Sequence, residues 1–187
     1  MSNSTEVKVD NEQLPRKGSV MFNFHYQNEL SKQKTLVKWR KVNKYLIIPL
    51  YRARLLPILG LGKTFLILET KGWKTGKIRR TPLEFRRYKG NIIIFAARGE
   101  NATWVKNMRA NPLDISVLRG FHHFKPEVEY VSDIAQKMAI LKWYVSKYNK
   151  AAKMLFGWDP QNDNPETTNF SNLASLITVI ILRTTNS

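Results

Sequence analysis

Between two segments with strand-like alternation, Thr64–Thr70 and Leu83–Arg87, the chain runs Lys71, Gly72, Trp73, Lys74, Thr75, Gly76, Lys77, Ile78, Arg79, Arg80, Thr81, Pro82. A turn with two glycines and this many cations suits one chemistry, the holding of a multiply charged anion. Gly72 and Gly76 can adopt positive φ and let backbone approach a ligand closely. Lys74, Lys77, Arg79 and Arg80 offer charge-assisted hydrogen bonds, about twice as strong as neutral ones. The competing reading is a solvated basic hairpin.

Other reactive groups are sparse. The chain has no cysteine, so disulfides, thiolate nucleophiles and cysteine-ligated metals are excluded. His122 and His123 are adjacent and would face opposite sides of a strand, with His25 remote, so no histidine metal site is expected. Two near-misses to a phosphate-binding P-loop fail. Pro57 stands where glycine is needed before Gly62-Lys63-Thr64, and the Gly72–Lys77 run is one residue short. Both turns also lead into strands. No Ser-His-Asp arrangement can be argued. A chain without residues for hydrolysis or metal chemistry points to a cofactor that carries the reaction itself.

The elements that must position this turn follow from pattern. At 187 residues and 43% hydrophobic, with five tryptophans, the chain is expected to be one folded domain. Six strands are predicted, over 64–70, 79–87, 91–97, 113–119, 121–131 and 175–183. One helix should start from Asn101 as N-cap and stop at Asn111-Pro112. Another should open with the capping pattern Asp133-Ile-Ala-Gln136 and present Ile134, Met138, Leu141, Val145 and Tyr148 on one stripe. Residues 1–20 read as a flexible polar tail, 21–60 as a basic helical segment and 61–187 as the core domain. Short strands with hairpin-like links predict a small closed or half-open barrel.

The formal net charge is +17, and between Glu29 and Glu69 nine Lys or Arg residues occur without an acid. Such a surface attracts phosphates, nucleic acid or anionic lipid, and charge alone does not choose. The tryptophans do not alternate on a strand beside the basic turn, as a base-stacking platform would require, so nucleic acid is not the expected partner. The polar start lacks the apolar core of a signal peptide, and Tyr45–Leu61 is broken by Pro49, Arg52, Arg54 and Pro57. The expected address is cytoplasmic, with Ser31–Arg54 a candidate for peripheral contact with anionic membrane through its cations and Trp39, Leu46 and Ile47. The alternatives for that segment are a helix packed across the barrel and a homodimer contact.

Three blocks in order carry a resemblance. They are Thr70–Leu83, then Ala96-Ala97-Arg98-Gly99, then Trp104-Val105-Lys106-Asn107-Met108-Arg109-Ala110-Asn111-Pro112. Together they resemble the deazaflavin-dependent nitroreductase and F420H2-dependent quinone reductase family of split-barrel proteins. The resemblance implies a mainly β (α+β), FMN-binding-like split β-barrel with flanking helices. It implies an oxidoreductase that moves a hydride from reduced coenzyme F420 to an organic acceptor such as a quinone, enone or nitroaromatic.

Residue by residue, the resemblance gives Lys74, Thr75, Gly76, Lys77 and Arg79 to the phosphodiester and acidic tail of the cofactor. Thr81 and Pro82 place the ring, Ala96, Ala97, Arg98 and Gly99 lie along it, and Trp104 and Asn107 border the same cleft. Tyr144 and Tyr148 are the candidates on the substrate side, where either tyrosine, or solvent, would supply a proton. Three positions depart from the pattern: Trp73 replaces an arginine, Ala97 a serine, and Glu100 a second glycine. A carboxylate beside an anionic ring would be unfavourable, so Glu100 must point away or the site is altered. The rival readings are an FMN-binding reductase of the same barrel class and a non-catalytic lipid- or nucleic-acid-binding barrel.

Overall fold

The computed structural model describes residues 13–42, 45, 49 and 64–184. Seven strands form one antiparallel sheet: β1 Phe65–Lys71, β2 Ile78–Tyr88, β3 Asn91–Ala96, β4 Ile115–Arg119, β5 His122–Phe124, β6 Pro126–Tyr130 and β7 Thr178–Thr184. Their order is β5-β4-β1-β2-β3-β7-β6, and β4 approaches β6 as the sheet curls into a half-barrel. This is the split-barrel architecture expected.

Strand alternation explains the curl. Leu66 and Leu68 of β1, Phe85 of β2, Ile92, Ile94 and Ala96 of β3, and Ile180 and Leu182 of β7 share one interior cluster. Val105 and Met108 from helix α3 (Thr103–Ala110) plug its end. The alternate residues Ile93, Val179 and Ile181 face outward under Ile140, Leu141, Val145, Phe156 and Leu173. Those come from α4 (Ile134–Lys147), α5 (Asn149–Phe156) and α6 (Ser171–Leu176). Strands buried on both faces read as apolar runs, and Ile92–Ile94 and Val179–Leu182 are such runs. Each buried Ile or Leu contributes roughly 1.5–3 kcal/mol relative to exposure.

The single strand expected over 121–131 is two. Val117 pairs with Phe124, whereas Pro126 pairs with Thr184 on the far side of the sheet. Pro126 lacks a ladder donor and stands first in its strand, where proline is tolerated. The capping expectation at Asp133 holds, since its carboxylate accepts from the Ala135 and Gln136 N–H groups. The buried stripe of α4 is Ile140, Leu141, Tyr144 and Val145, while Ile134 is exposed.

The expected tail is a second correction. Residues 1–12 lie outside the described residues, but 13–19 are docked on the domain. Leu14 is buried, and Arg16 forms a two-pronged ion pair with Asp163 at 2.5 and 2.6 Å. Ser19 then caps α1 (Val20–His25). The basic segment is helical as α2 (Glu29–Val42). Leu46, Ile47, Arg52 and Arg54 fall outside the described residues, as does the Trp39 side chain. Among the described residues no helix is long and apolar enough to cross a membrane.

Candidate functional site

The basic turn is built by its own backbone. Gly72 N–H donates to Lys77 O at 2.9 Å and Gly76 N–H to Gly72 O at 2.8 Å. Gly76 sits at φ 64° with open space where a Cβ would be. A side chain at Gly72 would meet Thr75 Oγ1 at 2.8 Å. That hydroxyl also lies 3.5 Å from an Arg79 guanidinium nitrogen. The turn is pinned from below by α3. Asn107 is buried, accepts the Trp73 N–H at 3.1 Å and donates to Thr70 Oγ1 at 3.1 Å. Asn111 Nδ2 donates to Lys71 O at 3.2 Å. Asn107 thus acts on the turn from behind, through the Trp73 N–H and the Thr70 hydroxyl.

Register sorts the cations. Thr70 pairs with Arg79 and Leu68 with Thr81, placing Arg79 and Thr81 on the barrel-interior row. Glu69 pairs with Arg80 on the outer row, and the two side chains form an ion pair. Lys71 meets Asp114 at 3.4 Å. Lys74, Lys77 and Arg79 have no carboxylate partner among the described residues, and Lys74 instead lies 4.7 Å over the Trp73 ring. Unneutralised cations around a glycine-built turn are the arrangement a polyanion requires.

Beside this turn β2 has an open edge. Its pairing with β3 begins at Phe85 with Ile94, so among the described residues Ile78–Glu84 are laddered on the β1 side alone. Thr81 and Pro82 lie on that stretch, and β3 ends opposite it at Ala96. The chain then turns through Ala97, Arg98 and Gly99. Gly99 holds φ 54°, and a Cβ there would stand 2.5 Å from Leu176 O. This constraint corrects the expected N-cap: Gly99–Asn101 is a 3-10 turn, Asn101 closes it, and Ala102 precedes α3 without a side-chain cap. Trp104 is half-buried against the interior cluster. Glu100 is held by two neighbours. Arg109 donates two hydrogen bonds to it at 2.7 and 2.9 Å and Thr178 one at 2.9 Å. The Arg109 bonds hold its carboxyl below the usual range, against a smaller opposing effect of burial.

Tyr144 and Tyr148 are neighbours, with ring centroids 5.3 Å apart, under the outer face of β2. Tyr144 is only 1% exposed, and its hydroxyl donates to Glu84 Oε1 at 3.3 Å. Burial, reinforced by the Glu84 charge, pushes its pKa well up. Tyr148 is half-buried beneath the Arg86 guanidinium, 4.5 Å from its ring, and Arg86 is ion-paired to Glu84. Of the pair, Tyr148 alone retains solvent-accessible surface.

Two contacts to the Ala96–Gly99 loop come from residues that no motif marks. His25 Nε2–H donates to Ala97 O at 2.8 Å, and the Arg98 guanidinium lies 5.7 Å from the Phe24 ring. Burial holds the His25 pKa down, so its neutral form makes the bond. Thr70 and Asp114, which brace the turn, likewise carry no signal in isolation. Their role follows only once β1, α3 and β4 are seen to converge. His123 contacts Ser116 at 3.1 Å and Glu69 at 3.4 Å on the outer face, away from the turn.

Residues 55–139 match the family model described as F420H(2)-dependent quinone reductase. The match spans the turn, the loop and α3, the blocks that carried the resemblance, and it bears out the expectation of an F420-dependent oxidoreductase. Among solved structures, one described as an F420-H2 dependent reductase (FDR-A) is 22% identical, with 65% of this chain and 95% of that chain covered at TM-score 0.43. One described as an F420 reductase is 16% identical, covering 66% and 87% at 0.40. An FAD-binding protein from Mesorhizobium loti is 16% identical, covering 70% and 89% at 0.42. Likenesses at these scores add no argument, and the resemblance rests on the sequence match.

Proposed function

We propose, from its place in the F420H(2)-dependent quinone reductase family of oxidoreductases, that this chain carries hydride from reduced F420 to an organic acceptor of the quinone, enone or nitroaromatic class. The observation that carries the reading is the trio Lys74, Lys77 and Arg79, left without carboxylates on a turn held rigid by Asn107 and Asn111. These residues and Thr75 would bind the phosphodiester and the acidic tail, and Gly76 leaves the backbone open to them. The open edge of β2 at Thr81 and Pro82, facing the Ala96–Gly99 loop, would take the ring. Reduced F420, when bound, would supply the hydride as a two-electron donor that releases no single electrons, so the protein's part is orientation and exclusion of water. Trp104 supports that loop from the interior, and the Glu100–Arg109 pair keeps a negative charge from the ring. The proton that follows the hydride would come from Tyr148 or from water, because Tyr144 is sealed in the core and committed to Glu84.

The test is fluorescence titration with F420 and with the same deazaflavin cut back to ring and ribityl chain. Full cofactor should bind more tightly, and added salt should weaken it while barely affecting the truncated ligand. Equal affinity for the two would refute the assignment of the turn.

A further inference from the structure

Trp73 is 48% exposed, Ile78 59% and Leu113 86%, and all three surround Lys71. Trp73 is two residues beyond it, and Ile78 is its cross-strand partner. Leu113 is fixed between Asn111, whose side chain bonds Lys71 O, and Asp114, whose carboxylate meets Lys71 Nζ. Single exposed apolar residues are ordinary, but large ones gathered at one end of a barrel mark a contact surface. Phe121 lies in the hairpin at the opposite end of β4. The charge around the trio is one-sided. Glu69 and Asp114 are each neutralised, by Arg80 and Lys71, while Lys74, Lys77 and Arg79 are not. Apolar tips set among free cations fit the interface of an anionic bilayer, where lysine stems lie along apolar surface and their heads stay among the headgroups.

We propose that the turn end of the barrel docks on an anionic lipid surface, with Trp73, Ile78 and Leu113 inserted among the headgroups. Each free cation near such a surface raises partitioning about fivefold. The aliphatic tips then set depth, and the mouth of the barrel faces the membrane. It draws on the cations that the proposed cofactor site uses, so a bound cofactor tail and the lipid surface compete for them.

The full chain is sedimented with phosphatidylcholine vesicles with and without phosphatidylglycerol, at low and high salt. It should pellet with the anionic vesicles at low salt only. Ile78→Ser with Leu113→Ser should weaken that partitioning on the order of tenfold, while F420 titration of the same variant stays unchanged. In parallel, brominated lipid should quench the fluorescence of the unmodified chain, and Trp73→Phe should remove most of that quenching. This second readout decides the matter if the double variant fails to fold. Each of these results would overturn the proposal: no pelleting, equal pelleting with neutral vesicles, full pelleting of the folded double variant (which would move the contact to Ser31–Arg54), or quenching that survives Trp73→Phe. A folded double variant that instead loses self-association would make the patch an interface between copies, and the lipid reading would fall.

Discussion

Replacing Asn107 by alanine should damage both the fold and the anion site, in separable amounts. Its side chain closes two bonds of 3.1 Å, one from the Trp73 N–H and one to the Thr70 hydroxyl. Thr70 is 1% exposed, so its oxygen has no water to turn to, whereas the Trp73 N–H lies at the rim. A buried group left unpaired costs about 1–3 kcal/mol, which gives about 2–4 kcal/mol for the pair. For a domain of this size that corresponds to roughly 4–16 °C in melting temperature. The turn would also lose its preorganisation, and F420 affinity should fall on the order of tenfold. Asn107→Asp sharpens the test. It keeps the acceptor for Trp73 and can accept from Thr70, so stability should be largely retained, yet it sets a carboxylate behind the basic turn and should weaken F420 binding. Thermal melts and fluorescence titrations on both variants check this. If Asn107→Ala melts early but binds F420 normally, the geometry of the turn is not what holds the ligand.

Alanine at Lys74, Lys77 or Arg79 should each cost about 1.5–3 kcal/mol of F420 affinity, with no change in melting temperature, as read by titration and melts. Gly99→Ala should destabilise the loop, since its Cβ would stand 2.5 Å from Leu176 O at φ 54°; alanine there with unaltered melting and turnover would contradict the constraint. Stability should fall with acid in two stages, visible in denaturation at stepped pH. The folded His25 resists protonation, so the unfolded chain takes the proton first as pH drops below the ordinary value of 6.5. Burial alone would raise the Asp163 carboxyl, but the Arg16 bonds hold it low, so its contribution is present above 3.8 and lost as pH falls through the folded value. Asp163→Asn should diminish the second stage, with Glu100 and Glu69 supplying the remainder.

The strands were legible because the barrel is apolar on both faces at its centre, so Ile92–Ile94 and Val179–Leu182 announce themselves in any window. The break at Lys125-Pro126 was less visible, because β5 and β6 share one run of strand formers and differ only in which neighbour each pairs with. Helices α1 and α6 are six residues each, too short for a periodic signal, and α5 follows α4 after a single irregular residue, Tyr148. The docking of 13–19 depends on Arg16 meeting Asp163 across almost the whole chain, which no local pattern encodes. The turn itself was readable as a glycine-built basic loop from its residue types. What pins it was not, since Asn107 looks like any helix asparagine until Thr70 and Trp73 are placed beside it.

The central claim is that the turn and the open edge of β2 form an F420 site. Its most direct test is parallel titration of the full-length chain with F420 and with FMN, followed by oxidation of reduced F420 in the presence of a quinone. Tight F420 binding that weakens with salt, weak FMN binding, and quinone-dependent loss of reduced F420 are the predicted results. Tight FMN binding with no measurable F420 binding would contradict the account.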